Sequence, residues 1–427
     1  MTSSSTSAGT PSGNTLGRVK VLLVGSGGRE HALAWKLAQS PSLTELHAAP
    51  GNPGIAGLGH CHPARAEDAE GLLNLALTLG IDLAVIGPEA PLVAGVADEL
   101  RRNGIAVFGP SAAAARIEGS KSFAKDVMRS AGVPAAESLA VARVPCVVKA
   151  DGLAAGKGVF VCRTQAELDA GLAATAAFDG PLVIEELLEG PELSLLALCD
   201  GRTALALAPA QDFKRAYDGD EGPNTGGMGS YSPVPGVGPA AAKELVERVH
   251  VPVLLELAAR GAPFRGLLYA GLILTEDGPR VLEFNCRFGD PETQSIVPGL
   301  EGDLLAALSA AATGDLSGIE LEAGPQATVS VVIAAGDYPA AADHGSPIEG
   351  IEAAEAGGAL VFHAGTASRG GQVVTNGGRV LNVTGLGASL AEARAAAYAG
   401  CERISFAGSR YRGDIAEAAA AGAAVRV

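Results

Sequence analysis

Positive charge is scarce in this chain. Its 427 residues carry 31 lysines and arginines against 47 acids, for a net charge of −16. Nucleic-acid binding normally needs a basic face, so no nucleic-acid partner is expected, and an anionic substrate would need cations gathered locally at its site. Aromatic side chains make up only 4% of the residues while glycines number 58, a composition that excludes fibrous and disordered classes and suits a loop-rich α/β protein. Paired cysteines are missing as well. Cys61, Cys146, Cys162, Cys199, Cys286 and Cys401 are scattered without a CxxC, as expected of free thiols in a reducing compartment. His60-Cys61-His62 lacks a second ligand pair at useful spacing and is not expected to hold a metal. No apolar run is long enough to cross a bilayer, and MTSSSTSAGTPSGNTLG has no apolar signal core. Residues 1–17 are therefore expected to be a disordered tail, and the protein to be cytoplasmic with no membrane partner.

What is present is a change of grammar along the chain. RVKVLLVGSGG, DLAVIGPEAPLV and GIAVFGP read as buried strands closed by glycine or Gly-Pro turns and separated by helical segments, which predicts a parallel α/β domain over 18–118. Ligands of such sheets collect at the carboxyl ends of the strands. From 119 to 324 short strands at hairpin spacing, with a long helix at 240–261, predict an antiparallel α+β domain. From 325 to 427 TVSVVIAAGDYP, ALVFHAGT and GRVLNVTGLG predict a small β-rich domain with one helix.

Four stretches carry chemistry. In VLEFNCRFGDPET, period-2 alternation puts Leu282, Phe284, Cys286 and Phe288 on one face of a strand and Glu283, Asn285 and Arg287 on the other. The second face is either a solvated edge or a holder for a hard metal ion and a phosphate. GSGGREH follows a strand and opens a helix, but Glu30 stands where a dinucleotide fingerprint needs glycine and PGNPG replaces the usual ribose-binding acid, so a single sugar phosphate fits better. VVKADGLAAGKGV is one residue off P-loop spacing and joins two strands. Its amides can cover a triphosphate while Lys149 and Lys157 neutralise it. QDFKR and GPNTGGMGSYSP form a long polar loop of functional type. Paired acids in VIEELLEGPELS read as a site or as a solvated helix start.

Together with APGNPG, GPEAPLV, EGSKSFAKD, FHAGT and TNGGRVL, these motifs resemble, from about residue 18 to the C-terminus, the phosphoribosylamine–glycine ligases of the ATP-grasp superfamily. The resemblance implies a three-domain fold with a central ATP-grasp domain. It also implies a reaction in which ATP, glycine and 5-phosphoribosylamine give glycinamide ribonucleotide, ADP and phosphate through glycyl phosphate. Magnesium or manganese would be held by Glu283 and Asn285. ATP would be held by Lys121, Lys149, Gly156, Lys157, Gly158, Glu185, Glu186, Leu187, Leu188 and Glu192. Gly27, Gly28, Arg29, Glu30, Gly51 and Asn52 would meet phosphoribosylamine. Pro88, Glu89, Lys214, Asn224, Thr225, Gly226, Gly227, Met228 and Glu292 are further substrate-binding candidates. Arg287, Asp212 and Asp290 are the catalytic candidates, with Arg287 on the transferring phosphoryl group or glycine's carboxylate. Loops 152–158 and 222–229 are expected to open without nucleotide and close over it. The chain departs from the superfamily in LLYAGLILT, which lacks the usual second metal acid; Asp212 is the candidate replacement. A monomer acting on small molecules is expected. The alternative is another ATP-grasp carboxylate–amine ligase or a carboxylating relative of the purine pathway.

Overall fold

The computed structural model describes residues 17–153, 158–176, 178 and 180–426. Five parallel strands open the chain, in the spatial order His60–Cys61, Leu43–Pro50, Val19–Gly25, Leu83–Ile86, Ala106–Phe108. Val21, Leu22, Leu23 and Val24 in the central strand are fully buried, which is why this strand reads as an unbroken apolar run. Each such side chain contributes about 1.5–3 kcal/mol relative to exposure. The strand ends at Gly25, and helix Gly28–Leu37 starts at once, with Glu30 accepting the Gly27 amide at 2.6 Å. A Cβ on Gly25 would lie 2.7 Å from the Glu30 carboxyl carbon, so the turn depends on glycine there.

The middle of the chain forms two antiparallel sheets. One has the order Ala204–Ala206, Glu192–Asp200, Arg265–Thr275, Gly278–Asn285; the other has Val159–Cys162, Cys146–Ala150, Leu182–Glu186. Helix Pro239–Ala259 covers the first, burying Leu245, Val249, Val253 and Leu257 along one face. The predicted alternation of the last strand is broken once. Gly271 faces Glu283 but Leu272 faces Val281, so Leu282 is an extra, bulged residue. Val281 rather than Leu282 therefore lies in the core, while Phe284, Cys286 and Phe288 are buried as expected.

The C-terminal sheet has the order Gln211–Asp212, Gly229–Ser232, Ala327–Ala334, Arg379–Gly387, Leu360–His363. Its first two strands come from well before residue 325. In the expected lid 222–229, Gly222, Pro223 and Gly226 are exposed, whereas Met228 is fully buried and joins Phe213 and Val332 through backbone hydrogen bonds of 2.7 and 3.0 Å. In the other expected lid, residues 154–157 lie outside the described residues, and with them Gly156 and Lys157. No helix among the described residues is long and apolar enough to cross a membrane.

Candidate active site

Three groups of charged side chains meet where these sheets converge. The first surrounds Glu185, on strand Leu182–Glu186 and nearly fully buried. Its two oxygens take Lys125 at 2.8 Å and Lys149 at 2.7 Å, and Lys149 also donates to the Leu282 carbonyl at 2.9 Å. The bulge thus turns a backbone oxygen toward a candidate phosphate-binding lysine. Lys121 opens helix Lys121–Ala131 and donates to the Gly152 carbonyl at 2.9 Å; burial holds its ammonium below the usual value, against the pull of Glu283. Glu186 points elsewhere, taking the Glu137 amide and Arg280 at 2.9 and 2.8 Å. Leu187 and Leu188 are half-buried beside it, and the Gly158 carbonyl accepts the Ala150 amide at 2.8 Å.

The second group centres on Lys214, which bonds Glu192 and lies 3.2 Å from Asp212. The Asp212 side chain is 7% exposed, and burial, with Glu292 and Glu192 nearby, pushes its carboxyl up to about 7 despite Lys214. The Lys214 ammonium is raised well above its usual value by Asp212 and Glu192, which outweigh its burial. Glu292 is buried and accepts the Ser194 hydroxyl at 3.1 Å; Ser194 in turn lies 3.0 Å from the Tyr269 hydroxyl. Tyr269 belongs to the strand that was noted for lacking an acid. Beside this group Glu283 and Asn285 are half-buried and, among the described residues, make no side-chain hydrogen bond or ion pair. No set of three or more His, Cys, Asp or Glu side chains among those residues is arranged to hold a metal ion alone. One carboxylate and one amide oxygen, open and adjacent, are the donor set that magnesium uses when substrate phosphates complete its shell.

The third group is a ladder of alternating charge. Arg287 contacts Glu89 at 3.1 Å and Glu118 at 3.4 Å and donates to the Phe288 carbonyl at 3.1 Å. Burial raises the Glu118 carboxyl even with Arg287 beside it, whereas at Glu89 the nearby Arg287 and Arg29 outweigh burial and lower it. Arg29 bonds Glu30 at 2.5 Å and the Phe288 carbonyl at 3.1 Å. Glu30 is thus committed to the helix start and to Arg29 and not open to a ligand. Pro88 caps the short helix Glu89–Val93 that carries Glu89.

A cleft of about 580 Å³ opens next to this ladder, lined by Ser26, Gly27, Gly51, Asp290, Tyr338, Thr366 and Arg379 among others. Asp290 bonds Arg379 at 3.2 Å and Gln294 at 2.8 Å; burial opposes its charge, but Arg379 and Arg29 hold the carboxyl low. Gly51 has φ +72°, and its α-carbon faces the Cys61 sulfur, so a side chain would not fit. Asn52 lines the cleft but is used up as a tie. Its amide donates to Ser26 and His363 carbonyls at 2.9 and 2.8 Å and its oxygen accepts Ile55 N–H. Gly28 packs against Asn382, whose buried amide has no partner among the described residues. Asn224 is half-buried in a two-stranded ribbon opposite Arg215, and Thr225 binds the Lys214 carbonyl through both N–H and hydroxyl, at 2.7 and 2.8 Å. Gly226 and Gly227 accept from Arg379, and the Gly226 amide donates to the Tyr338 hydroxyl at 3.0 Å. The Met228 side chain is fully buried in the core.

Sequence reasoning left Glu118, Lys125, Tyr269, Tyr338 and Arg379 unassigned. Glu118, Lys125 and Arg379 stand in motifs that carried the family resemblance, which was the available signal; Tyr269 and Tyr338 had none. His47 lies 3.0 Å from His62 and stacks on His60, a contact between residues far apart in sequence, but this group is among those not arranged to hold a metal.

The arrangement of two antiparallel sheets beside a parallel α/β domain is shared with biotin carboxylase structures. One is the Hydrogenobacter thermophilus domain, with a TM-score of 0.65 at 16% identity over 93% of this chain and 92% of that one, a likeness of fold alone. The fold class is that of the ATP-grasp enzymes, which use ATP. Family models for the phosphoribosylglycinamide synthetase N domain, ATP-grasp (A) domain and C domain match residues 19–118, 119–293 and 328–418. The chain is 52% identical over 418 residues to the phosphoribosylamine–glycine ligase of Streptomyces coelicolor, covering 94% of this chain and all of that protein. It is 48% identical to the enzyme of Mesorhizobium japonicum, over 93% and 97% of the two chains. The crystal structure of the Thermotoga maritima ligase superposes with a TM-score of 0.78 at 36% identity, covering 93% of this chain and all of that one. The chain belongs to the phosphoribosylamine–glycine ligase family.

Proposed function

We propose that the chain ligates glycine to 5-phosphoribosylamine at the expense of ATP, giving glycinamide ribonucleotide, ADP and phosphate in purine biosynthesis. Glycine's carboxylate attacks the γ-phosphoryl group to give glycyl phosphate and ADP. The substrate amine then attacks the glycyl carbonyl and phosphate leaves. No enzyme nucleophile takes part, so rate comes from positioning and charge neutralisation.

On this reading Lys121 and Lys149 neutralise the triphosphate, and Glu185 with Lys125 fixes Lys149 in place. The backbone near Leu187 and Leu188 meets adenine, and Glu192 meets the ribose or fixes Lys214. Glu283 and Asn285 hold magnesium or manganese, which when bound would screen the phosphate charge. Asp212 and Glu292 lie next to them, suited to glycine's ammonium group or to the metal shell. Arg287 keeps N–H groups beyond its three protein contacts, enough to meet the phosphoryl group or glycine's carboxylate. Phosphoribosylamine occupies the cleft, against Gly27, Gly51, Asp290 and Arg379, with the buried Arg29 charge behind Asp290. The observation that carries this reading is the juxtaposition of the two halves. Thr225 and Gly226 link the Lys214 group directly to Arg379 at the cleft.

An ADP-release assay with glycine and freshly made phosphoribosylamine, omitting each in turn, tests the assignment. ADP formation is expected to need both. Release that depends on bicarbonate and not on glycine would favour a carboxylating relative instead.

A further inference from the structure

Arg412 is among the largest fully buried side chains of the molecule, 1% exposed, and lies about as far along the chain from the Lys214 group as a residue can. Its guanidinium grips Asp414 with two hydrogen bonds of 2.7 and 2.6 Å. The same group reaches Asp220 at 2.9 Å and the Arg215 carbonyl at 3.1 Å, and its carbon stands 5.1 Å from the Phe213 ring centroid. Phe213 lies between Asp212 and Lys214, and Arg215 follows them.

The neighbours of Arg412 act in the same direction. Arg410 donates to the Ala216 carbonyl at 2.8 Å and covers the Tyr217 ring at 5.1 Å. Asp414 accepts the Gly219 amide at 2.9 Å, and Asp218 accepts the Gly413 amide at 2.8 Å. Residues 213–220 are thus held from outside by a five-residue strap at 410–414. On the inner side, the strand Gln211–Asp212 pairs over two residues with Gly229–Ser232, and Phe213 and Lys214 beyond it are tied by backbone hydrogen bonds to Gly229, Met228 and Thr225. The Arg412 strap adds the hold from the outer side. A planar guanidinium that lies over Phe213 and bonds the Arg215 carbonyl two residues on fixes direction as well as position, which an ammonium would not do.

We propose that Arg412 is a positioning residue for the Asp212–Lys214 pair, setting the path of the backbone on both sides of Lys214. It touches no substrate. The proposal rests on the reading that Lys214 belongs to the ligation site.

Arg412→Met, Arg412→Lys, Asp220→Asn and, as a reference, Lys214→Met are compared by steady-state kinetics well below the unfolding midpoint, alongside thermal unfolding. Arg412→Met is expected to lower kcat about 10- to 100-fold, the cost of a displacement of order 1 Å remote from the chemistry. KM for phosphoribosylamine should stay within about twofold, since the cleft is left intact. Arg412→Lys should recover part of the loss, and Asp220→Asn, which removes one exposed arm, should show a smaller loss of the same kind. A residue that only stabilises the fold leaves kcat unchanged while the protein stays folded. An inactive Lys214→Met beside an unchanged kcat in the Arg412 variants that fold and in Asp220→Asn would overturn the positioning role. Full activity in Lys214→Met would overturn the site reading itself. Should Arg412→Met fail to fold, Arg412→Lys and Asp220→Asn carry the comparison alone.

Discussion

The Arg287 ladder and the Lys214 cluster use the same residue types to opposite ends. Arg287 sits between Glu89 and Glu118 and Arg29 bonds Glu30, so every acid of the ladder has a guanidinium beside it. Lys214 alone is shared by Glu192 and Asp212, with Glu292 and Glu283 also near, so acids without a partner of their own outnumber the cation. A buried array of paired charges is a brace whose loss leaves charges stranded. An array with surplus negative charge is incomplete until a cationic ligand arrives. On the function proposed above, the contrast is one between holding the domains together and receiving a metal or an ammonium group.

The sharpest way to break this distinction is at Lys214 and Glu283. Lys214→Met is expected to lower kcat about 10²- to 10³-fold, comparable to deleting one preorganised charge-stabilising donor. Glu283→Gln should raise the magnesium concentration needed for half-maximal rate by at least about 10-fold, as metal sites do when their ligand set is weakened. Titrating magnesium against initial rate checks both. Wild-type magnesium dependence in Glu283→Gln would remove the metal from this strand.

Arg287→Met should show its effect in stability. Stranding Glu89 and Glu118 against each other is expected to cost about 3–5 kcal/mol, read as a fall in the urea midpoint at neutral pH. A variant as stable as the parent would mean that the ladder is no brace. Smaller still is the effect of Arg379→Met. Loss of a charge-assisted contact at the cleft should raise KM for phosphoribosylamine about 10-fold and leave KM for ATP unchanged. An ATP effect of equal size would merge the two halves of the site.

A further effect, spread over a pH range, is a slope away from both arrays. His31 and His363 pack against each other between the first helix and the C-terminal sheet, with the His363 amide donating to His31 Nδ1 at 2.8 Å. Burial lowers them to about 3 and about 4, both below the ordinary 6.5. Between pH 6.5 and 4 the unfolded chain therefore binds protons that the folded chain refuses. Stability should fall with falling pH over that window, by at most about 1.4 kcal/mol per pH unit per histidine. Above pH 6.5 the pair adds no slope. Urea midpoints at pH 7 and 5 for the parent and for His363→Asn check this, and a variant with an undiminished slope would assign it elsewhere.

The strand that bears Glu283 and Asn285 was legible because period-2 alternation is a local property. Its bulge was not, since Leu282 becomes an extra residue only through pairing with Gly271 and Leu272. The parallel order of the first sheet followed from apolar runs and glycine turns. The membership of Gln211–Asp212 and Gly229–Ser232 in the C-terminal sheet did not, because it runs through the pairing of Gly229–Ser232 with Ala327–Ala334, about a hundred residues on. Acids fared differently again. Asp212 could be singled out by its loop and missing counterpart, but nothing near Glu118 in the sequence announces Arg287, and nothing near Asp290 announces Arg379. Met228, a substrate-binding candidate only through the family resemblance, has its side chain in the core, a burial that no local pattern announces.

The borrowing of residues 211–232 by the last sheet also bears on the order of events at the ribosome. The strand bearing Asp212 finds its place through Gly229–Ser232, which in turn needs Ala327–Ala334 and, beyond it, Arg379–Gly387. A nascent chain that has not yet released Ala327–Ala334 would still lack the partner of Gly229–Ser232. Vectorial synthesis thus delays completion of the sheet at whose edge Asp212 lies until nearly the whole polypeptide has emerged.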